Sequence, residues 1–323
     1  MSYPIFIDAN FIEENTDFAE LVEELRIGFS STNILTPPRH HHDFPNSKMG
    51  IDSTMLLMPA WQDGMDAGVK IVTVSPENHQ LDLPSIQGSY LFLNAQTGQL
   101  KAIMEAKKLT SKRTAAASAL ASTYLSNVNT SSMLMIGTGA LSSELIKAHA
   151  AVRPISSVYV WGRNFEKAKK VCKALQAENF QLQAVESIES IIDKVDLISA
   201  ATLSKKPLVK GAYLTGGQHI DLVGSYKPDM READDDSIST ANVFADVKEM
   251  AMKESGDLCV PLAKGIIKEE DIQGDLFDLC EEKITGRNTP IEITLFKSVG
   301  HALEDLVAAR YYYKKYLKIN GLQ

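Results

Sequence analysis

SMLMIGTGALSSELIKAHA, at residues 132–150, is an apolar run that gives way to a helical pattern, with Gly137 and Gly139 at the junction. Glycines placed there allow a tight turn and a close approach of the backbone to a pyrophosphate, which the positive end of the following helix then holds. Thr138, Ala140 and Leu141 complete the turn. The third glycine of the G-x-G-x-x-G pattern is replaced by Ser142, a residue small enough for the helix to pack closely. Taken alone, the turn fits either a plain strand-to-helix connection or a dinucleotide site.

The surrounding rhythm favours the second. Short β-branched or apolar runs recur at 132–137, 156–162, 180–185, 195–201, 219–224 and 242–247, with helical stretches between them. Such alternation predicts right-handed βαβ crossovers and a Rossmann-type, doubly wound parallel sheet covered on both faces, in a dinucleotide-binding domain over residues 126–300. The second run ends in WGRNFEKA, where an NAD enzyme carries a carboxylate for the ribose 2′-hydroxyl. Arg163 and Asn164 stand there instead. Either Arg163 is a solvated loop residue, or its guanidinium pairs with a 2′-phosphate, which selects NADPH over NADH. The run at 195–201 closes on small residues and Thr202, as suits a strand end beside a nicotinamide ribose.

Residues 1–125 read differently: a helix over 17–29, strands near 54–58, 68–74 and 90–94, and a turn at Thr97-Gly98. This is an α+β unit with antiparallel or mixed pairing. The segment HALEDLVAARYYYKKYLK after residue 300 has helical spacing and is too short to fold alone, so 301–323 is expected to rejoin the first unit, making that domain discontinuous.

Three basic residues in this first domain stand out. Thr110 or Ser111 is expected to cap an Ala-rich helix, with Lys112 and Arg113 in its first turn. Cations there oppose the helix dipole, so either they extend into water or an anion belongs beside them, a substrate carboxylate gripped by Arg113 and Thr114 being one such anion. Lys70 lies mid-strand in GVKIVTV and either snorkels from a sheet edge or serves a buried anion. Arg39 follows two prolines in a loop. His40, His41 and His42 are consecutive and cannot all face one ion, so no metal is expected. The acidic run from Asp229 to Asp236 is read as a solvated helix start in preference to a catalytic carboxylate.

Composition narrows the partners. With 33 Lys plus Arg against 41 Asp plus Glu, the formal charge of −8 is opposite to that of a polyphosphate binder, so nucleic acid is not an expected partner. Cys172, Cys259 and Cys280 form no CxxC pair, which argues against a disulfide framework or a zinc site and for reduced thiols in the cytoplasm. No run is apolar enough to span a bilayer, and the first residues lack the basic-then-apolar order of a secretion signal, so neither membrane nor export is expected. Hydrolase and phosphotransfer motifs such as G-x-S-x-G, H-E-x-x-H and a Walker A loop are absent from the sequence.

With these residues in view, the chain resembles the ornithine cyclodeaminase/μ-crystallin family along nearly its whole length. The resemblance rests on LLMPAW (56–61), GVKIVTVSPEN (68–78), the stretch 83–121 ending in KLTSKRTAAASALA, IGTGAL (136–141), GGQHIDLVGS (216–225) and TLFKSVGHALEDL (294–306). It implies a first domain that carries substrate pocket and dimer interface, and a second that binds the nicotinamide nucleotide. It also implies a carboxylate grip by Arg39, Lys70 and Arg113, of which Lys70 and Arg113 are the expected catalytic residues. Cofactor contacts are implied at Gly137, Thr138, Gly139, Ala140, Leu141, Arg163, Asn164, Thr202, Val223, Ser298 and Val299. In cyclodeaminases of the family, a catalytic Asp lies two residues beyond the VG pair and a Glu precedes the LMP motif; here Tyr226 and Leu56 occupy those positions. Loss of the Asp removes the obvious base for oxidising an amine, in the alanine dehydrogenase branch as well. VGSYKPDMRE is similar to the ketimine reductase pattern, and GTGAL with WGR to bacterial reductases of Δ1-pyrroline-2-carboxylate. The expectation is therefore a dimeric cytoplasmic enzyme that reduces a small cyclic imino acid with NADPH, or with NADH, Tyr226 serving at the substrate. The alternatives are an ornithine cyclodeaminase or alanine dehydrogenase, and a non-catalytic NADPH-binding protein.

Overall fold

The computed structural model describes residues 3–322. The first stretch of chain runs β1 (Ile5–Ile7), α1 (Ala9–Glu14), α2 (Phe18–Phe29), β2 (Ile34–Leu35), β3 (His40–Phe44), β4 (Ser53–Gln62), β5 (Asp66–Val74), β6 (Ile86–Asn94), β7 (Leu100–Glu105) and α3 (Ala106–Leu125). It continues through β8 (Ser132–Ile136), α4 (Ser142–Val152), β9 (Ser157–Trp161), α5 (Phe165–Ala174), β10 (Gln181–Val185), β11 (Leu197–Ala200) and β12 (His219–Leu222). The remainder is α6 (Asp235–Thr240), β13 (Asn242–Ala245), α7 (Lys248–Glu254), α8 (Gly256–Ala263), β14 (Ile272–Asp275), α9 (Leu276–Cys280), β15 (Thr294–Lys297) and α10 (Ala302–Ile319). The chain forms two compact units, one comprising residues up to Arg113 together with those from His301, the other Thr114–Gly300.

In the first unit, β4 to β7 form an antiparallel meander and β1 joins β7 in parallel. Period-2 alternation gives this sheet two unlike faces. Met58, Lys70, Tyr90, Met104 and Ile7 are cross-strand partners in one row, and all are buried. The adjacent row, Pro59, Val69, Leu91, Ile103 and Phe6, faces the other way and is only partly covered, Phe6 remaining 66% exposed. α2 starts at Asp17, whose carboxylate accepts from Glu20 N–H, and it buries Leu21, Val22, Leu25 and Phe29. It approaches α10 closely at Gly28, where a Cβ would lie 2.6 Å from Val307 Cγ2.

The second unit holds the parallel sheet that the rhythm predicts, in the order β10-β9-β8-β11-β12-β15-β13-β14. β8, β11, β12 and β15 are short and almost wholly buried, as central strands covered on both faces must be. Two of its strands, β14 and β15, go beyond the six expected. β15 has only four residues and no polar alternation, so its sequence carries no strand period, yet it inserts between β12 and β13.

One helix boundary corrects the sequence reading. α3 begins at Ala106, so Thr110 and Ser111 lie inside it and Lys112 and Arg113 fall in its second turn. The Glu105 carboxylate accepts from the N–H groups of Lys107 (3.0 Å) and Lys108 (2.7 Å), and Ser111 Oγ donates to Lys108 O. The helix dipole and first-turn amides therefore contribute nothing to an anion at Arg113.

Candidate functional site

In the second unit, a cavity of about 460 Å³ opens at the carboxyl ends of β8, β9 and β11, where the strand order reverses. In an open α/β sheet this is the place for a ligand. Gly137 has φ +130, and a Cβ there would meet Ala201 O at 2.6 Å, so the turn admits only glycine. A Cβ on Gly139 would meet no protein atom within 4 Å, because it would point into open space. What Gly139 keeps clear is the cavity itself, which is the requirement of a backbone that a pyrophosphate must approach. Ser142 is fully buried, as close helix packing needs.

Of the residues expected at the cofactor, Gly137, Thr138, Gly139, Arg163 and Thr202 line this cavity. Lys167 lines it too, and sequence reasoning passed over it although it stands four residues past Arg163, within WGRNFEKA. None of the twelve lining residues is acidic. Asn164 has other work: its side chain accepts from Lys167 N–H and caps α5. Ala140 and Leu141 form the turn into α4, and Val223 follows β12, its N–H on Ala200 O. Ser298 and Val299 follow β15 and are held by Asp246, whose Oδ2 accepts from Ser298 Oγ (3.0 Å), Val299 N–H (2.7 Å) and Gly300 N–H (2.5 Å).

The acidic run needs division. Asp234 caps α6, and Asp235 and Asp236 sit in its first turn, as a helix start should. Glu232, by contrast, is fully buried, which corrects its reading as a solvated residue. Burial pushes its carboxyl up to about 7, Lys297 opposing that shift and Asp257 adding to it. The only sequence signal was a Glu flanked by the apolar Ala233 and preceded by an Arg, too slight to tell it from its neighbours.

In the first unit, Lys70 sits on β5, a central strand between β4 and β6, so edge snorkelling is excluded and the buried anion is found. Its Nζ lies 2.9 Å from Asp305 Oδ1 and 2.7 Å from Oδ2. Arg113 Nε donates to the same Asp305 Oδ1 at 2.9 Å, and Arg113 Nη1 to Glu304 Oε2 at 2.5 Å. Glu304 and Asp305 belong to the first turn of α10. Lys70 is 3% and Arg113 4% exposed, while both carboxylates are fully buried. Burial brings Lys70 down to about 8; Asp305 opposes that shift and Arg113 adds to it. Asp305 itself would be raised by burial, yet Arg113 and Lys70 hold it below the usual carboxylate range. Lys112 likewise meets an internal anion, its Nζ 3.1 Å from Glu13 Oε1.

The cluster thus brings Lys70 and Arg113 together on one carboxylate. Arg39 is half-buried in the loop between β2 and β3. Thr114 is buried next to Arg113 along α3, and Tyr226 is 39% exposed in the loop after β12. His40, His41 and His42 lie exposed along β3, and no group of three potential metal ligands occurs among the described residues. Sequence reasoning missed Glu304 and Asp305 because an acidic pair opening a helix reads as dipole chemistry, and nothing local reveals that it faces two cations.

A doubly wound sheet with a glycine turn at its switch point and a cationic end at β9 defines a Rossmann-type dinucleotide-binding protein, here with an additional α+β unit. The chain belongs to the ornithine cyclodeaminase/mu-crystallin family, whose model matches residues 5–320. It is 42% identical over 323 residues to an uncharacterized protein of Schizosaccharomyces pombe, covering 97% of this chain and 98% of that one. It is 36% identical over 309 residues to the Δ1-pyrroline-2-carboxylate reductase of Colwellia psychrerythraea, covering 94% of this chain and 96% of that one. The Δ1-pyrroline-2-carboxylate reductase of Thermococcus litoralis, solved in complex with NADH and L-proline, superposes with a TM-score of 0.89 at 30% identity, covering 98% of each chain.

Proposed function

We propose that this protein is an NAD(P)H-dependent ketimine reductase that converts Δ1-pyrroline-2-carboxylate to L-proline, and Δ1-piperideine-2-carboxylate to L-pipecolate, with NADPH preferred. The observation that carries this reading is the meeting of Lys70 and Arg113 on Asp305, in a chain whose other unit has a dinucleotide cradle ending in Arg163 and Lys167. Pairing on Asp305 and Glu304 holds both cations in place before a ligand arrives, so little side-chain entropy is lost when a carboxylate binds. Arg39 is the third cation of this proposed grip.

The dinucleotide, when bound, supplies a hydride from C4 of its nicotinamide. The cyclic imine nitrogen is readily protonated near neutral pH, so the substrate enters as an iminium. A C–H bond forms at the imine carbon and the π pair moves to nitrogen, leaving a secondary amine with no further proton transfer. Arg39, Lys70 and Arg113 fix the carboxylate and thereby the face and depth of the ring. Oxidation of an ornithine amine would need a base near its nitrogen, and the position that resemblance assigns to that base holds Tyr226, not a carboxylate. Three unpaired cysteines support a cytosolic setting for the reaction.

Purified protein should oxidise NADPH steadily when given the cyclic imine, more slowly with NADH, and should release no ammonia from ornithine and form no NADH from alanine. Turnover of ornithine or alanine without imine reduction would make it a cyclodeaminase or alanine dehydrogenase, and NADPH binding with no turnover at all would make it a binding protein.

A further inference from the structure

The second unit contains a buried charge cluster that the reaction above does not use. Glu232, Asp257 and Lys297 are all fully buried. Lys297 Nζ, from the end of β15, lies 3.3 Å from Asp257 Oδ2 and 4.0 Å from Glu232 Oε2. Asp257, at the start of α8, accepts from the backbone N–H groups of Glu232 (2.7 Å) and Ala233 (3.0 Å) through Oδ1. This fixes the backbone at 232 and presents the Glu232 carboxylate to two strand ends at once. Oε1 accepts from Thr202 N–H (2.6 Å) and Thr202 Oγ1 (2.8 Å), just beyond β11. Oε2 accepts from Gly224 N–H (2.6 Å) and Ser225 N–H (3.2 Å), just beyond β12. Gly224 is pressed so close that a Cβ there would lie 2.0 Å from Thr202 O.

A dinucleotide laid across this sheet has its direction fixed by what lines the cavity. The cations Arg163 and Lys167 stand at the β9 end and the glycine turn follows β8, so the nicotinamide end extends over β11 toward β12. Those are the two strand ends that Glu232 joins. We propose that Glu232 is a positioning residue for the nicotinamide half of the cofactor: with four accepted hydrogen bonds it clamps the β11 and β12 ends together and sets the floor on which the reactive ring rests, Lys297 carrying its charge and Asp257 its backbone. The proposal rests on the dinucleotide reading of the cavity.

Glu232→Gln tests it. The amide cannot accept at both ends, while the remaining Lys297–Asp257 pair stays balanced in charge. Affinities for NADPH and for 2′,5′-ADP, which occupies only the adenosine end, are measured by calorimetry on wild type and variant. The clamp predicts NADPH weakened at least tenfold and 2′,5′-ADP bound within twofold of wild type. Equal binding of both ligands to variant and wild type would overturn it, as would loss of both together, since that would make Glu232 a prop for the whole fold. Should the variant be insoluble, Glu232→Asp, which keeps the charge but shortens the reach by about 1.5 Å, is read by the same pair of ligands. Failure of the wild type to bind either ligand would instead sink the dinucleotide reading itself.

Discussion

Arg113 shows how one side chain can be legible in kind and misread in setting. Sequence reasoning placed it beside an anion because a cation near a helix start is unfavourable; the anion is real, but it is the protein's own Asp305, and the helix starts earlier. In the proposed reaction, two cations sharing one carboxylate oxygen grip the substrate carboxylate with side chains already held in place. Removing one member of such a buried group is costly beyond the lost contact, because Glu304 and Asp305 are left short of a positive charge. For Arg113→Ala we expect KM for the imine to rise about 100-fold, corresponding to roughly 2.7 kcal/mol, with NADPH affinity unchanged within about twofold. Steady-state kinetics with fluorescence titration of NADPH checks this. An unchanged KM would remove Arg113 from the substrate grip.

At the scale of elements, β12 carries a buried polar network. His219 Nδ1 lies 3.0 Å from Thr294 Oγ1, while Asp221 Oδ2 lies 3.2 Å from His149 Nε2 and accepts from Ser199 Oγ at 2.7 Å. Burial lowers His219 to about 3 from an ordinary value of 6.5, Asp221 opposing that shift. A depressed folded-state value means that the unfolded chain binds the extra proton between pH 6.5 and 3, so the stability due to neutral His219 is complete above pH 6.5 and is lost as pH falls toward 3. One proton corresponds to a slope of about 1.4 kcal/mol per pH unit. Urea melts of His219→Asn between pH 6.5 and 4 should show a slope shallower than wild type by about that amount, and parallel slopes would contradict it. Such networks also mark the limit of what the sequence reveals. The six runs with β-branched or apolar period were legible because each repeats a local rule, and so was the glycine turn at Gly137. β15, with four buried residues, and Glu232, hidden in an acidic run, follow no local rule; their places are set by partners distant in sequence, Asp257 and Thr202 among them.

For the molecule as a whole, the row of Pro59, Val69, Leu91, Ile103 and Phe6 is an apolar sheet face that the described residues cover only in part, Phe6 remaining exposed. Contiguous apolar faces of this kind are normally covered by a partner. We propose that a second copy covers it, giving the dimer; Leu91→Asp, at the centre of the row, should elute as a monomer in size-exclusion chromatography with light scattering, against a dimeric wild type. A monomeric wild type would refute the assignment. The membrane offers no competing explanation through a spanning helix, since no helix among the described residues is long and apolar enough to cross one.

In the proposed reaction, hydride passes directly from the nicotinamide to the carbon of a cyclic imine held by its carboxylate. Mass spectrometry of product formed from Δ1-pyrroline-2-carboxylate with NADPH doubly deuterated at C4 tests this in one step. Direct transfer yields L-proline carrying a single deuterium at Cα; unlabelled proline, or none, would rule it out.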